Sequence, residues 1–91
     1  MFNLKGRVAV ITGSSSGLGK QMARAFAGQG ADLVLLARRV ERLEELKTEL
    51  EQTGVRVLPV KCDVTNVEEI KNAAALAEQT FGKVDILVNC A

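Results

Sequence analysis

Four short apolar runs alternate with three longer stretches of helical period along this chain. Val8–Ile11 is continuous and β-branched with no polar alternation, the pattern of a parallel strand covered on both faces. From about Gly17 to Gly28 the spacing predicts a helix with Leu18, Met22, Ala25 and Phe26 on one face, and Ala23 and Ala27 beside them for close approach. Gly28 and Gly30 predict its end. Ala31–Ala37 (ADLVLLA) reads as a second buried strand. A helix from about Val40 to Thr53 follows, with Val40, Leu43, Leu46 and Leu50 as its apolar stripe. Arg42 with Glu45, and Lys47 with Glu51, read as its solvated side. Gly54 closes it, and Val55–Lys61 is a third strand with Pro59 where one ladder donor must be missing.

Thr65, with Glu68 three residues on, predicts a capping box for a helix from about Asn66 to Phe81. Its expected buried stripe is Val67, Ile70, Ala74, Ala77 and Phe81. Gly82-Lys83 turns the chain into a last strand, Val84–Asn89, and Leu4 is expected to tuck under the sheet. The order is therefore β-α-β-α-β-α-β, with right-handed crossovers. This predicts an α/β fold: a Rossmann-type doubly wound parallel sheet, truncated to four strands in the order 3-2-1-4 and three helices. Residues 1–91 form one domain, incomplete at its C-terminus. Cys62 and Cys90 would lie three strand spacings apart, on the order of 14 Å, beyond disulfide reach.

The first strand runs into Thr12 and then a glycine-rich turn, Gly13-Ser14-Ser15-Ser16-Gly17-Leu18-Gly19, that opens the first helix. Strand, glycine turn and helix together present backbone N–H groups and a positive helix end to a phosphate. Gly13 suits a left-handed turn residue, Gly17 removes a Cβ from the path of a pyrophosphate, and Gly19 lets helix and strand pack closely. The spacing is neither G-x-G-x-x-G nor a P-loop, which would need Lys-Ser/Thr after its last glycine. Alone, such a trio also fits a simple turn. Its place between a buried strand and a helix favours a nucleotide.

Composition narrows the chemistry. Apolar residues make up 47% of the 91 and charged residues 25%, and the net charge of +1 gives no footing for nucleic acid. No apolar run is long enough to span a bilayer, and no signal-peptide core is present, so a soluble, cytoplasmic protein is expected. His and Tyr are absent, which removes two common proton-transfer side chains. The two cysteines fit no zinc or CxxC pattern and read as small core residues.

Strand ends carry the remaining candidates. Where an NAD-selective site places Asp or Glu at the tip of strand two, this chain has Ala37, Arg38 and Arg39. Arg38 suits a ribose 2′-phosphate, so NADP(H) is preferred over NAD(H); Arg39 is either a second contact or the start of a surface helix. Ser15 and Ser16 offer hydroxyls to the same phosphate or ribose. Asp63 is either a turn residue or an acceptor for an adenine amino group, with Val64 packed on the ring. Asn89 either closes a turn or fixes the ribose.

Thr12–Gly19 (TGSSSGLG), Cys62–Val64 (CDV) and Val88–Ala91 (VNCA) together resemble the N-terminal half of the short-chain dehydrogenase/reductase family. That family carries TGxxxGxG, a DV or DL adenine contact, and NNAG after strand four. Cys90 here replaces the second Asn, and Asn89, Cys90 and Ala91 take the places of the first three letters. Within the family the chain is similar to 3-oxoacyl reductases and gluconate 5-dehydrogenases. The resemblance implies a dinucleotide cofactor, a small carbonyl or alcohol substrate in the full-length parent, and a parent homodimer or homotetramer. Such members run to about two and a half times this length. Their Ser, Tyr-x-x-x-Lys and Asn catalytic groups follow strand four, so no catalytic residue is assigned here. Two expectations follow: the cofactor-binding part of an oxidoreductase, or a stand-alone nucleotide-binding or assembly module without redox activity.

Overall fold

The computed structural model describes residues 3–14 and 17–90, and its elements alternate strictly. They are β1 (Val8–Thr12), α1 (Gly17–Gly28), β2 (Asp32–Ala37), α2 (Val40–Glu51), β3 (Val57–Lys61), α3 (Val67–Phe81) and β4 (Ile86–Asn89). All neighbouring strands pair in parallel, in the order β3-β2-β1-β4. That is the predicted topology. Strands β2, β3 and β4 begin later than their apolar runs: Ala31 N–H turns back to Phe26 O of α1, and two carboxylates cap the strand starts at that end. Val8 N–H donates to Asp85 Oδ2 at 2.8 Å, and Arg56 N–H to Asp32 Oδ1 at 2.8 Å.

Both central strands are buried along almost their whole length, which explains why neither alternates. Ala9, Ile11, Leu33, Leu35 and Ala37 point to one face, where Ala23 and Ala27 of α1 and Leu43, Leu46 and Leu50 of α2 cover them. Val8, Val10, Val34 and Leu36 point to the other, under Ala73 and Ala77 of α3. Pro59 lies on the edge strand β3, opposite Leu35, where its missing N–H leaves no gap inside the sheet. Cys62 and Cys90 are free and belong to opposite faces of the sheet.

Three local expectations are corrected. In α1 the sheet-facing residues are Gly19, Ala23 and Ala27, spaced four apart, while Leu18 is 60% exposed and Ala25 is also exposed. Met22 and Phe26 are half-buried. Small side chains bring the axis close, and the larger ones are displaced to its flanks. In α3 the contact residues are Ala73 and Ala77; Val67, Ile70 and Ala74 are exposed, and Phe81 is half-buried. The flank carrying Ile70 and Ala74 overhangs β4, where it borders a cavity of about 420 Å³ that Val84 and Leu87 also line. The N-cap of α3 is Asn66 rather than Thr65. Asn66 Oδ1 accepts from the N–H groups of Glu68 at 3.0 Å and Glu69 at 3.2 Å. Among the described residues, no helix is long and apolar enough to cross a membrane.

Candidate nucleotide-binding site at the carboxyl ends of the strands

The turn between β1 and α1 is built to bring a helix start against backbone. Gly13 has φ +67°, the left-handed region in which glycine is favoured. Ser14 is fully buried; its hydroxyl donates to Ile11 O at 2.6 Å, and its N–H donates to Leu36 O at 3.3 Å. A Cβ on Gly19 would come within 2.7 Å of Gly13 C and 2.9 Å of Ser14 Cα. The close approach expected of Gly19 is thus real, although its partner is the turn rather than the strand. Among the described residues, and leaving aside its chain neighbours and its own helix's backbone, a Cβ on Gly17 would meet nothing within 4 Å. Leu18 faces solvent. Ser15, Ser16 and Ala91, also named from the sequence, lie outside the described residues.

Beside this turn, at the tips of β2 and β3, is a cavity of about 610 Å³, within the range of small-molecule and cofactor sites. It brings together Gly13, Arg38, Arg39, Asp63 and Val64, five residues singled out from the sequence, with Ala37 and Cys62 behind them. Thr65 completes one wall and Arg42 another. The Asp63 carboxylate is held in place: Oδ1 accepts from the Thr65 N–H at 2.9 Å and from its hydroxyl at 2.7 Å. These two bonds, the hydroxyl's first, hold Asp63 below the ordinary carboxylate range, with a smaller contribution from Arg38. Its backbone N–H donates in turn to Glu69 Oε1 at 3.1 Å. The loop after β3 is therefore fixed by α3. Burial pushes the Cys62 thiol above its ordinary value, with the nearby Glu69 and Asp63 adding to the effect, which disfavours the thiolate.

Asn89 and Cys90 stand apart from this cavity, across β1. Asn89 lines the other cavity, which Val64 also borders. The Thr12 hydroxyl donates to Asn89 Oδ1 at 2.8 Å, with Val88 O farther off at 3.4 Å. It accepts from the Cys90 N–H at 3.2 Å, and the same N–H reaches Thr12 O at 3.3 Å. Thr12 thus ties the tips of β1 and β4 together at the point where the strand order reverses, the place where open α/β sheets bind ligands.

Sequence reading missed Thr12, Thr65 and Glu69 as positioning residues; its placement of Arg42 on a solvated face of the helix agrees with the exposure of that residue. Among the described residues Arg42 forms no ion pair, and it lines the cavity. No group of three or more His, Cys, Asp or Glu among the described residues is arranged to hold a metal ion.

The family model for short chain dehydrogenase matches residues 7–91. The chain is 47% identical over 88 residues to glycine betaine reductase of Emericella nidulans, an alignment covering 97% of this chain and 7% of that protein. Among solved structures it resembles L-sorbose reductase from Gluconobacter frateurii, complexed with NADPH and L-sorbose, at 47% identity and TM-score 0.93. That match covers 99% of this chain and 35% of that one. It also resembles NAD⁺-bound xylitol dehydrogenase, at 30% identity and TM-score 0.88, over 92% of this chain and 32% of that one. The chain therefore spans about a third of these solved relatives and a much smaller part of the betaine reductase. A family match running from Arg7 to Ala91, on a sheet wound in the family's order, shows that the chain belongs to the short-chain dehydrogenases.

Proposed function

We propose that these residues are the dinucleotide-binding part of an NADP(H)-dependent oxidoreductase whose whole protein interconverts a carbonyl compound and an alcohol. In this reading the amides from Gly13 to Gly19 receive the diphosphate, with Ser15 and Ser16 offering hydroxyls. Asp63 accepts from the adenine amino group and Val64 packs on the ring. Asn89, Cys90 and Ala91 border the ribose next to the nicotinamide. Arg38 meets the 2′-phosphate, and Arg39 lies beside it. The bound cofactor supplies the hydride; the chain binds and orients it. The 91 residues contain no Tyr and no His, and in this reading none of them is assigned proton transfer.

One observation carries the NADP(H) preference. The tip of β2 holds Ala37, Arg38 and Arg39 and no carboxylate, and both arginines line the cavity. A carboxylate there would repel a phosphate, whereas a guanidinium meets it with a planar, permanently charged fork. Of the two solved relatives named above, the one of higher identity was solved with NADPH and the other with NAD⁺, in line with this reading.

Calorimetric titration tests it. NADPH should bind about ten- to a hundredfold more tightly than NADH, the span expected of one charge-assisted contact to phosphate. Arg38→Glu should reverse that order. Equal affinities, or tighter NADH, would overturn the assignment. The 91-residue chain should also leave NADPH unconsumed in the presence of a ketone, and consumption above background would refute the placement of its proton-transfer groups.

A further inference from the structure

Six arginines occur in this chain, and they divide by partner. Arg7 reaches Asp85 at 3.5 Å, Arg24 reaches Glu49 at 2.6 Å and Arg56 reaches Asp32 at 2.7 Å. Among the described residues, Arg38, Arg39 and Arg42 have no carboxylate oxygen within 4.0 Å. All three line the 610 Å³ cavity. Arg38 and Arg39 come from the tip of β2. Arg42 comes from the first turn of α2, and the fold rather than the spacing brings it to the cavity that Arg38 and Arg39 line. The carboxylate on that cavity's wall, Asp63, is already engaged by two hydrogen bonds from Thr65. Three arginines lining one cavity, none of them in an ion pair among the described residues, suit a ligand group carrying two negative charges.

We infer that Arg42 is a specificity-determining residue, a second grip on the ribose 2′-phosphate, approaching from α2 while Arg38 approaches from β2. This rests on the dinucleotide reading above and extends it. A phosphomonoester with a second pKa near about 6 is largely dianionic at pH 7 and has three oxygens, enough for two forks from two sides. A ribose with a bare 2′-hydroxyl has no charge to offer either arginine. Arg42 is then silent toward the unphosphorylated cofactor.

The test uses adenosine 2′,5′-bisphosphate and adenosine 5′-monophosphate, which differ only in the 2′-phosphate and need no nicotinamide contacts. Wild type, Arg42→Gln, Arg42→Lys and Arg24→Gln are titrated by calorimetry, with thermal melts to verify folding. Wild type should prefer the bisphosphate. Arg42→Gln should weaken the bisphosphate about five- to tenfold and leave the monophosphate unchanged. Arg42→Lys should fall between, since it keeps the charge and loses the fork. Arg24→Gln, which removes a paired surface arginine, should change neither. If Arg42→Gln weakens both ligands alike, or neither, while Arg38→Ala still removes the preference, the role of Arg42 is refuted and the dinucleotide reading stands. If wild type binds neither ligand, or binds both equally, both proposals fall together.

Discussion

The two ends of the sheet treat charge in opposite ways. At the amino ends of the strands, Asp85 accepts from the Val8 N–H and faces Arg7 at 3.5 Å and Lys83 at 3.3 Å. Asp32 accepts from the Arg56 N–H and pairs with its guanidinium, which also lies 4.8 Å over the Phe81 ring. Each carboxylate there satisfies a backbone donor and a cation at once. At the carboxyl ends, Arg38, Arg39 and Arg42 surround a cavity without a carboxylate partner among the described residues. The two helix starts at this same carboxyl end also differ from each other. α3 has Asn66 as a side-chain cap, whereas Arg39 at the N-cap of α2 makes no capping bond. One end is closed by the protein's own groups, and the other leaves cationic groups for a ligand to meet.

The largest expected effect comes from disturbing the open end at its backbone. Gly19→Ala drives a methyl into Gly13 and Ser14, where no flexible side chain can yield. It should lower stability by about 1–3 kcal/mol, and nucleotide binding should drop by more than tenfold. A melt and a titration on the same sample check both. At the closed end, Asp32→Ala strands the Arg56 N–H and guanidinium. It should lower stability by about 1 kcal/mol in urea denaturation, with cofactor affinity unchanged. A loss of affinity there would break the contrast between the ends.

Asp85 sharpens the comparison through pH. The Val8 N–H first, then Lys83 and Arg7, hold its carboxyl below the ordinary range. A carboxylate with a depressed folded value contributes stability above its unfolded value, and loses it as pH falls through the folded one. Asp85→Asn should therefore melt earlier than wild type at pH 7, and the gap should narrow in acid below the ordinary carboxylate range. A gap that stays constant with pH would count against the charge being responsible. The smallest effect is expected from Thr65→Val. Without the hydroxyl that dominates its shift, Asp63 should titrate closer to an ordinary aspartate in a carboxyl NMR experiment, and adenosine affinity should weaken only a few-fold.

Much of this was legible along the chain because periodicity is local. The β-branched run at Val8, the apolar ADLVLLA segment and the glycine turn led to the observed strand order without any contact information. So did the placement of Arg38 and Asp63 on one edge, since both follow strands directly. The burial of α3 was legible only in part: Ala77 was read as buried and is, but Ala73 was not named. Ala73 and Ala77 face the sheet while Val67 and Ile70 do not, because helix phase depends on which strand the axis crosses. The cap was ambiguous for a related reason: Thr65 and Asn66 both suit it, and Thr65 is drawn instead to Asp63.

The sequence by itself determined the alternation of strands and helices, the parallel sheet, the glycine turn and the lack of any acidic residue at the tip of the second strand. Each of these follows from residues within a few positions of one another. Only the tertiary structure decided which charges neutralise each other. Asp85 reaches Val8 across 77 positions and Arg24 reaches Glu49 across 25, while Arg42 lines a cavity and forms no ion pair among the described residues. Side chains reach only a few ångströms, so their partners are set by how the elements pack, and a linear pattern does not encode that distance.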